Sequence, residues 1–468
     1  MSSLSHKTAA LDRIRRTLWI PSLCLLWMTA TGLAQEATTP DKQGEETDIQ
    51  SADQDDSAGQ EPIPVPIQGS EETKGSEAIL SRGLQTFNDD VFHNVKNRFG
   101  FSLNINEEYS NNVPTTGQTQ QSSSFQSYLP RVFLNLGKKK SKLHVDVGAG
   151  YRQYNEAATF SSWDYFGNAQ YSYEFSKNFT FDVSNQFTSS YADSYSFISQ
   201  YSPLQYNLYT SNELLFNDER INRDSLYAEL SYLIGKRIRL GVFSHYELFG
   251  YSQNTLQSSN ALEVGGTFSF KVTKWLSFNS SISSYLESPN GSDSNARINH
   301  VQLGGFSFSL SKGWKVSAGG GIDVAQYQDS TQLGENINSG ISYLSRNILF
   351  TGTYQRQFTS AIGIPGLFMS DIFGVALGHR MTRRISARVD AYYYRSSQQS
   401  TGGMLKTFSG GGGLSFALLR ALVANLTAAY QNQQAQNFSV PGLGLNFNCF
   451  VVSAGLQYMW PSLKFTGD

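Results

Sequence analysis

From Phe99 onward the chain repeats one unit: a strand, a short turn, a second strand and a longer polar loop. Eight short turns, each with a Lys or Arg, lie near residues 137–141, 176–178, 235–237, 273–274, 312–313, 345–347, 381–384 and 419–421. Nine longer polar loops lie near 110–123, 155–160, 192–222, 252–257, 287–296, 329–334, 359–368, 397–404 and 432–445. These seventeen connections predict eighteen antiparallel strands. The count assigns 204–216 to the long loop 192–222 and not to another strand.

The strands alternate between apolar and polar side chains with a period of two residues. Ile238, Leu240 and Val242, for example, alternate with Arg239 and Gly241. The polar positions collect charges of both signs, which favours contact with water on that face. The candidate residues lining such a wet interior are Asp146, Asp182, Glu229, Arg239, His245, Glu263, Asp323, Arg388 and Asp390.

Composition favours a membrane protein built from strands. Charged residues make up 16% of the chain, against about 25% in typical soluble domains. Aromatic residues recur at strand ends, with Trp275 and Trp314 beside turns and Tyr154 and Tyr191 beside loops. Strands cross a bilayer only as a closed barrel. The sequence therefore predicts an all-β, transmembrane, up-and-down antiparallel barrel of about eighteen strands over 99–468, with a soluble all-β protein as the alternative.

The last strand, Ser453 to Trp460, supports this interpretation. Leu456, Tyr458 and Trp460 share one face, and Gly455 and Gln457 share the other. The spacing of Gly455, Tyr458 and Trp460 resembles the C-terminal signal by which bacterial barrel-assembly machinery recognises outer-membrane proteins.

The N-terminal region predicts export and a separate tail. Basic residues precede an apolar stretch from Leu18 to Met28 and then small residues up to Ala34, so 1–34 is typical of a secretory signal peptide. Residues 35–76 contain eleven acidic residues and two lysines without an aromatic side chain, which predicts a disordered periplasmic tail. Residues 77–98 are expected to form a linker, a short helix or a plug.

The sequence contains no clear catalytic or metal-binding motif. The six histidines are not spaced as metal ligands, and only Cys449 follows the predicted signal peptide. We therefore predict no enzymatic activity, no cofactor and no metal. A membrane-embedded hydrolase with a Ser-His-Asp site assembled across strands stays open as a minor alternative. The residues from 77 onward are near neutral and lack a basic stripe, so nucleic acid is not an expected partner.

The first strand carries a family resemblance. Glu107-Glu108-Tyr109-Ser110-Asn111-Asn112 resembles the opening of β-barrel porin family type 2, with Asn111 where the family usually has Asp. The units around Leu230 to Arg237 and Leu344 to Asn347 are similar to the strand-and-basic-turn cadence of that family. The resemblance implies porin-like topology and an association with exopolysaccharide or exosortase loci.

These features lead to one expected function and two alternatives. The leading hypothesis is an outer-membrane barrel forming a water-filled channel for passive passage of small polar solutes, narrowed by 192–222 or 77–98 if either folds inward. The alternatives are a component of exopolysaccharide export and the hydrolase. Expected partners are outer-membrane lipid, barrel-assembly machinery and, for export, a polysaccharide or a periplasmic synthesis complex.

Overall fold

A computed structural model describes the strands and most of their turns. The described residues are 98–113, 121–137, 140–156, 161–191, 220–251, 258–289, 295–311, 313–328, 330–345, 347–361, 364–398, 402–419, 421–437, 446–460 and 463–464. The predicted signal peptide, the acidic tail, the segment 77–97 and the uncertain stretch 204–216 lie outside these residues.

Eighteen long strands of 13 to 17 residues form the structure. They are β1 Arg98–Val113, β2 Gln121–Gly137, β3 Ser141–Tyr154, β4 Ser162–Ser176, β5 Phe179–Tyr191, β6 Arg220–Ile234, β7 Ile238–Tyr251, β8 Ser259–Lys271, β9 Leu276–Pro289, β10 Ala296–Ser311, β11 Trp314–Tyr327, β12 Ser330–Leu344, β13 Ile348–Ala361, β14 Ile364–Arg380, β15 Ile385–Gln398, β16 Met404–Ala417, β17 Leu422–Gln436 and β18 Phe447–Met459. A two-residue strand, β19 Leu463–Lys464, follows.

The strands close into a barrel. Each long strand pairs antiparallel with the next in sequence, and β1 pairs antiparallel with β18, from Ser102 opposite Met459 to Ser110 opposite Val451. The short β19 extends the same seam against Arg98 and Phe99. The structure confirms the predicted eighteen-stranded antiparallel barrel. The described part of the chain contains no helix with the length and hydropathy to span a membrane.

The connections distinguish the two ends of the barrel. The eight short turns lie where the sequence predicts them, and we call their side the turn end and the opposite side the loop end.

Two predicted loops are wrong. Residues 330–334 of the predicted loop 329–334 belong to β12, and most of the predicted loop 359–368 belongs to β13 and β14. The polar residues 330–334 continue the ladder with β11, because a strand can extend past the apolar zone while its backbone stays paired.

The two faces of the barrel differ in polarity. Side chains opposite each other across a ladder point to the same face, so the pairing assigns every strand residue to the inner or outer face. The outer face presents apolar side chains that are about half exposed, such as Val242, Ile282 and Val389. The inner face contains buried polar side chains, such as Asp323, Ser370 and Gln433. This arrangement is the reverse of a soluble protein, in which apolar groups are buried.

Aromatic side chains form a belt near each end of the outer face. Ring contacts at the turn end join Phe175 with Phe179 (5.0 Å between centroids) and Trp314 with Tyr343 (4.8 Å). At the loop end, Tyr151 contacts Trp163 at 5.1 Å. Between the belts lies the apolar band, an order that is typical of strands spanning a bilayer.

The closing seam between β1 and β18 depends on a glycine. Gly455 lies opposite Asn106, whose side-chain amide donates to Ser127 Oγ at 3.1 Å. A Cβ at position 455 would lie 1.8 Å from Asn106 Oδ1 and 2.8 Å from the carbonyl oxygen of Ile105. Any side chain at 455 therefore displaces the buried Asn106 or separates the two strands.

We predict that Gly455→Ala destabilises the barrel, because overpacking at a well-packed site costs about 1–3 kcal/mol. The measurement is denaturant unfolding of the refolded barrel in detergent, followed by tryptophan fluorescence. Gly320→Ala is the matched control, because Gly320 lies on the outer face and its added Cβ would be 4.0 Å from the nearest atom, Asn336 O. Equal unfolding midpoints for the two variants would contradict the prediction.

Candidate functional site

All nine residues predicted to line the interior lie on the inner face. The pairing places Asp182 directly opposite Glu229, and His245 directly opposite Glu263. The other members of the set occur on β3, β7, β11 and β15, so the charges are distributed around the barrel wall. The inner wall therefore carries both signs of charge on neighbouring strands.

Two ion pairs lie in the half of the barrel toward the turn end. Arg131 on β2 and Asp146 on β3 form a bidentate pair, with Nε of Arg131 2.6 Å from Oδ1. Arg388 and Asp390 on β15 lie 3.3 Å apart. The two arginine side chains stay 26% and 28% exposed, so these pairs are accessible from the interior.

Two further ion pairs lie toward the loop end and are more buried. Arg152 and Asp164 pair at 2.7 Å with both side chains almost completely buried, and Arg223 pairs with Glu247 at 2.8 Å. These four residues and Arg131 were not among the lining residues predicted from the sequence, although the alternation along β7 places Glu247 on the polar face. Their polar positions in the two-residue alternation could have indicated them, but alternation alone does not predict which charges meet.

A hairpin formed by β13 and β14 leaves the wall at the loop end. The ladder between β12 and β13 runs from Leu344 opposite Leu349 to Ile337 opposite Arg356 and then stops. Beyond that point β13 stays paired with β14 alone. On its other side β14 stays in the wall up to Phe368, because Phe368 to Ser370 pair with Gln398 to Ser396 of β15. We call residues 357–361 and 364–367 the inward hairpin.

A hydrogen bond shows where this hairpin lies. The backbone N–H of Phe358 donates to Asp323 Oδ2 on β11 at 2.8 Å. Neighbouring strands are about 4.8 Å apart, so β11 and β13 would be separated by about 10 Å if both stayed in the wall. Asp323 points inward. The inward hairpin therefore crosses β12 on the inside of the barrel.

Apolar contacts hold the hairpin against the inner wall. Phe358 and Leu367 form a buried cluster with Ile298 on β10 and Ala325 on β11. Phe358 and Met369 lie over Gly334 of β12, where a Cβ would be 2.4 Å from Phe358 Cε2 and 2.5 Å from Met369 Cε. The absence of a side chain at Gly334 gives the hairpin the space it occupies.

Asp323 is the polar anchor of this arrangement. Besides the N–H of Phe358, its carboxylate accepts hydrogen bonds from Asn336 Nδ2 and from His300 Nδ1, both at 2.8 Å. The carboxylate is fully buried. A buried carboxylate needs several donors to replace its lost hydration, and the hairpin backbone supplies one of them.

The inward hairpin is a constriction that the sequence did not predict, because 359–368 was expected to be an external loop. The sequence proposed 192–222 or 77–98 as the constriction, and residues 192–219 and 77–97 lie outside the described part of the chain. The apolar residues Phe358, Leu367 and Phe368 were a signal against a solvated loop. Their burial on the inner wall explains why this segment is apolar.

The geometry around His245 bears on the hydrolase alternative. Ser225 Oγ lies 2.8 Å from His245 Nε2, and Glu247 Oε1 lies 3.3 Å from the same nitrogen. In a catalytic triad the serine and the acid contact opposite ring nitrogens. This arrangement is therefore not that of a triad. Among the described residues, no group of three or more His, Cys, Asp or Glu side chains is placed to hold a metal ion.

In comparisons with known proteins, this chain is similar to solved structures of other barrels. OccK2 (OpdF) of Pseudomonas aeruginosa is 10% identical with a TM-score of 0.42, covering 78% of this chain and 98% of that one. OccAB4 of Acinetobacter baumannii is 10% identical with a TM-score of 0.41, covering 79% and 99%. The FrpB iron transporter of Neisseria meningitidis is 8% identical with a TM-score of 0.39, covering 80% and 83%. No protein-family model and no curated protein matches the chain. The resemblance to β-barrel porin family type 2 therefore stays a prediction.

We predict that Asp323→Ala loosens the inward hairpin. A hydrogen bond to a charged acceptor contributes about 1.5–3 kcal/mol, so the Phe358 amide should exchange roughly 10- to 100-fold faster. Hydrogen–deuterium exchange of the refolded barrel, read by mass spectrometry of peptides covering 357–361, measures this.

Asp146→Ala is the control for this experiment, because Asp146 is an inner-face acid that pairs with Arg131, far along the wall from the hairpin. It should leave exchange in 357–361 unchanged. Equal exchange of the Phe358 amide in wild type and Asp323→Ala would show that the carboxylate does not anchor the hairpin.

Proposed function

We propose that this chain is a bacterial outer-membrane barrel that forms a porin-like channel for passive passage of small polar solutes. The observation that carries the proposal is the closed eighteen-stranded ring with an apolar outer band between two aromatic belts and a charged inner wall. A barrel with this number of strands is wide enough to enclose an aqueous path. The inward hairpin narrows that path at the loop end.

The outer face supports placement in a bilayer. Side chains such as Val242 and Ile282 are more than half exposed, and exposing so many apolar groups to water would be unfavourable by about 25 cal/mol per Å² of apolar area. Contact of these side chains with the hydrocarbon of a bilayer removes this unfavourable free energy. The exposed Tyr458 and Trp460 at the turn end also fit recognition by barrel-assembly machinery, as the C-terminal spacing predicts.

The inner face supports weak charge selectivity. Its accessible arginines Arg131 and Arg388 pair with Asp146 and Asp390, so charges of both signs line the wall. Polar solutes can exchange hydration for hydrogen bonds with these groups. We therefore propose a broad preference for small polar solutes and no strong preference for either ion.

The expected result in a planar bilayer is stepwise conductance from the pure refolded barrel. In a potassium chloride gradient, the reversal potential should lie near zero, because the accessible arginines Arg131 and Arg388 lie beside carboxylates. Protein denatured before reconstitution is the control for detergent artefacts. Folded protein that inserts into the bilayer without channel events would contradict the channel proposal.

Arg388→Ala should shift the reversal potential toward cation preference. The substitution leaves the inward carboxylate of Asp390 without its 3.3 Å partner, so the wall gains net negative charge. Arg395→Ala is the matched control, because Arg395 lies on the same strand but on the outer face. Equal shifts in the two variants would exclude a lumen effect.

The family resemblance implies polysaccharide export as an alternative, and export requires a different state of the barrel interior. An extended polymer needs an unobstructed path, so the inward hairpin would have to leave the interior during export. A periplasmic N-terminal tail that meets a synthesis complex belongs to this alternative.

A further inference from the structure

We propose that the inward hairpin is a gate with a second resting position in the barrel wall, where residues 357–361 of β13 extend the ladder with β12. This inference rests on the proposed channel function and specifies how that channel is regulated. In the inward position the hairpin narrows the interior of the barrel. In the wall position the interior is wider.

The first observation is an open strand edge in the wall. Ser330 to Asn336 of β12 pair with β11 on one side, from Tyr327 opposite Ser330 to Gly321 opposite Asn336. On the other side the ladder with β13 begins only at Ile337. None of the other described strands pairs with this edge, and an unpaired edge is a template for another strand. The nearest strand in sequence and space is the displaced end of β13.

The second observation is that the register fits without adjustment. Continuing the ladder past Ile337 and Arg356 places Gln357 opposite Asn336, Phe358 opposite Glu335 and Thr359 opposite Gly334. The displaced part of β13 is already in strand conformation, because it pairs with β14 up to Ala361. Residues 357–361 can therefore meet β12 while they stay paired with β14, whose residues 368–370 stay paired with β15.

The third observation is the polarity of the hairpin. Phe358 and Met369 lie opposite each other on the face that continues the outer face of β13 and β14. In the inward position this apolar face packs on Ile298 and Ala325. In the wall position it would join Leu333, which is 75% exposed on the outer face. Both positions therefore offer the apolar face a contact.

The base of the hairpin stays fixed in both positions. Where β12 and β13 part, Arg356 lies 3.3 Å from Glu335 and 3.1 Å from Asp371. Tyr354 donates to the same Asp371 at 3.0 Å. These groups hold the strands together just below the branch. Because Phe368 to Ser370 of β14 stay paired with Gln398 to Ser396 of β15, the movement bends β13 at residues 356–357 and carries the loop ends of β14 and β15 with it.

Gly334→Ala separates the two positions. The added Cβ would lie 2.4 Å from Phe358 Cε2 in the inward position, whereas in the wall position it would face the interior without the hairpin above it. We expect the fraction of time in the larger-conductance state to rise at least several-fold. Gly340→Ala, on the same strand and face, is the control, because its Cβ would meet only Ser317 Oγ at 3.1 Å and Gly352 O at 3.7 Å.

A disulfide captures the wall position directly. In a Cys449→Ser background, Leu333→Cys and Ser360→Cys are opposite each other in the extended register. Oxidation should form the bond, visible as a gel shift, and raise the conductance, with reversal by reductant. Each single-cysteine variant controls for oxidation alone.

The outcomes separate the gate from the channel. Channel events in wild type, with no disulfide and with Gly334→Ala equal to Gly340→Ala, would overturn the gate and leave the channel standing. A disulfide that forms in a barrel without channel events would overturn the channel while supporting the two hairpin positions.

Discussion

A closed ladder of backbone hydrogen bonds is the constraint on which every other property of this molecule depends. Hydrocarbon offers no partner to a peptide N–H or C=O, so a sheet in a bilayer needs each edge to meet another edge. Pairing of β1 with β18 meets this need. Once the ring closes, alternate side chains must point to opposite faces, and the apolar set takes the outside. Buried polar side chains inside the ring are therefore a consequence of closure.

The strand count, the short turns and the polarity of the two faces were predictable, because they follow from a two-residue period and from basic turns that local sequence displays. The pairing of charges was not. Arg131 shares the inner face of β2 with the buried Leu129 and Phe133, so the alternation there gives no indication of an ion pair. The inward hairpin was also missed. Its residues have the pattern of a strand with an apolar outer face, and only the end of the β12–β13 ladder shows that this face turns onto the inner wall.

Two apolar side chains on the inner wall are informative because the inward hairpin covers them. Ile298 and Ala325 occupy inner positions on β10 and β11 and are covered by Phe358 and Leu367. An apolar side chain that faces water inside the barrel is not stabilised by burial. One beneath a docked segment is stabilised, because it is buried against that segment. Such positions therefore mark where the wall carries an inner layer. Asp323 marks the same place in polar form, since its three donors come from β10, β12 and β13.

The seam between the first and last strands has a consequence for biogenesis. Its contacts join residues more than 330 positions apart, as between Asn112 and Asn448, so ring closure has the longest sequence separation of any pairing in the sheet. Contacts of such separation form slowly. A chain cut short by premature termination lacks the second half of the seam and keeps two unsatisfied edges. Only a chain that contains both β1 and β18 can close the ring, so a truncated chain does not reach the closed barrel.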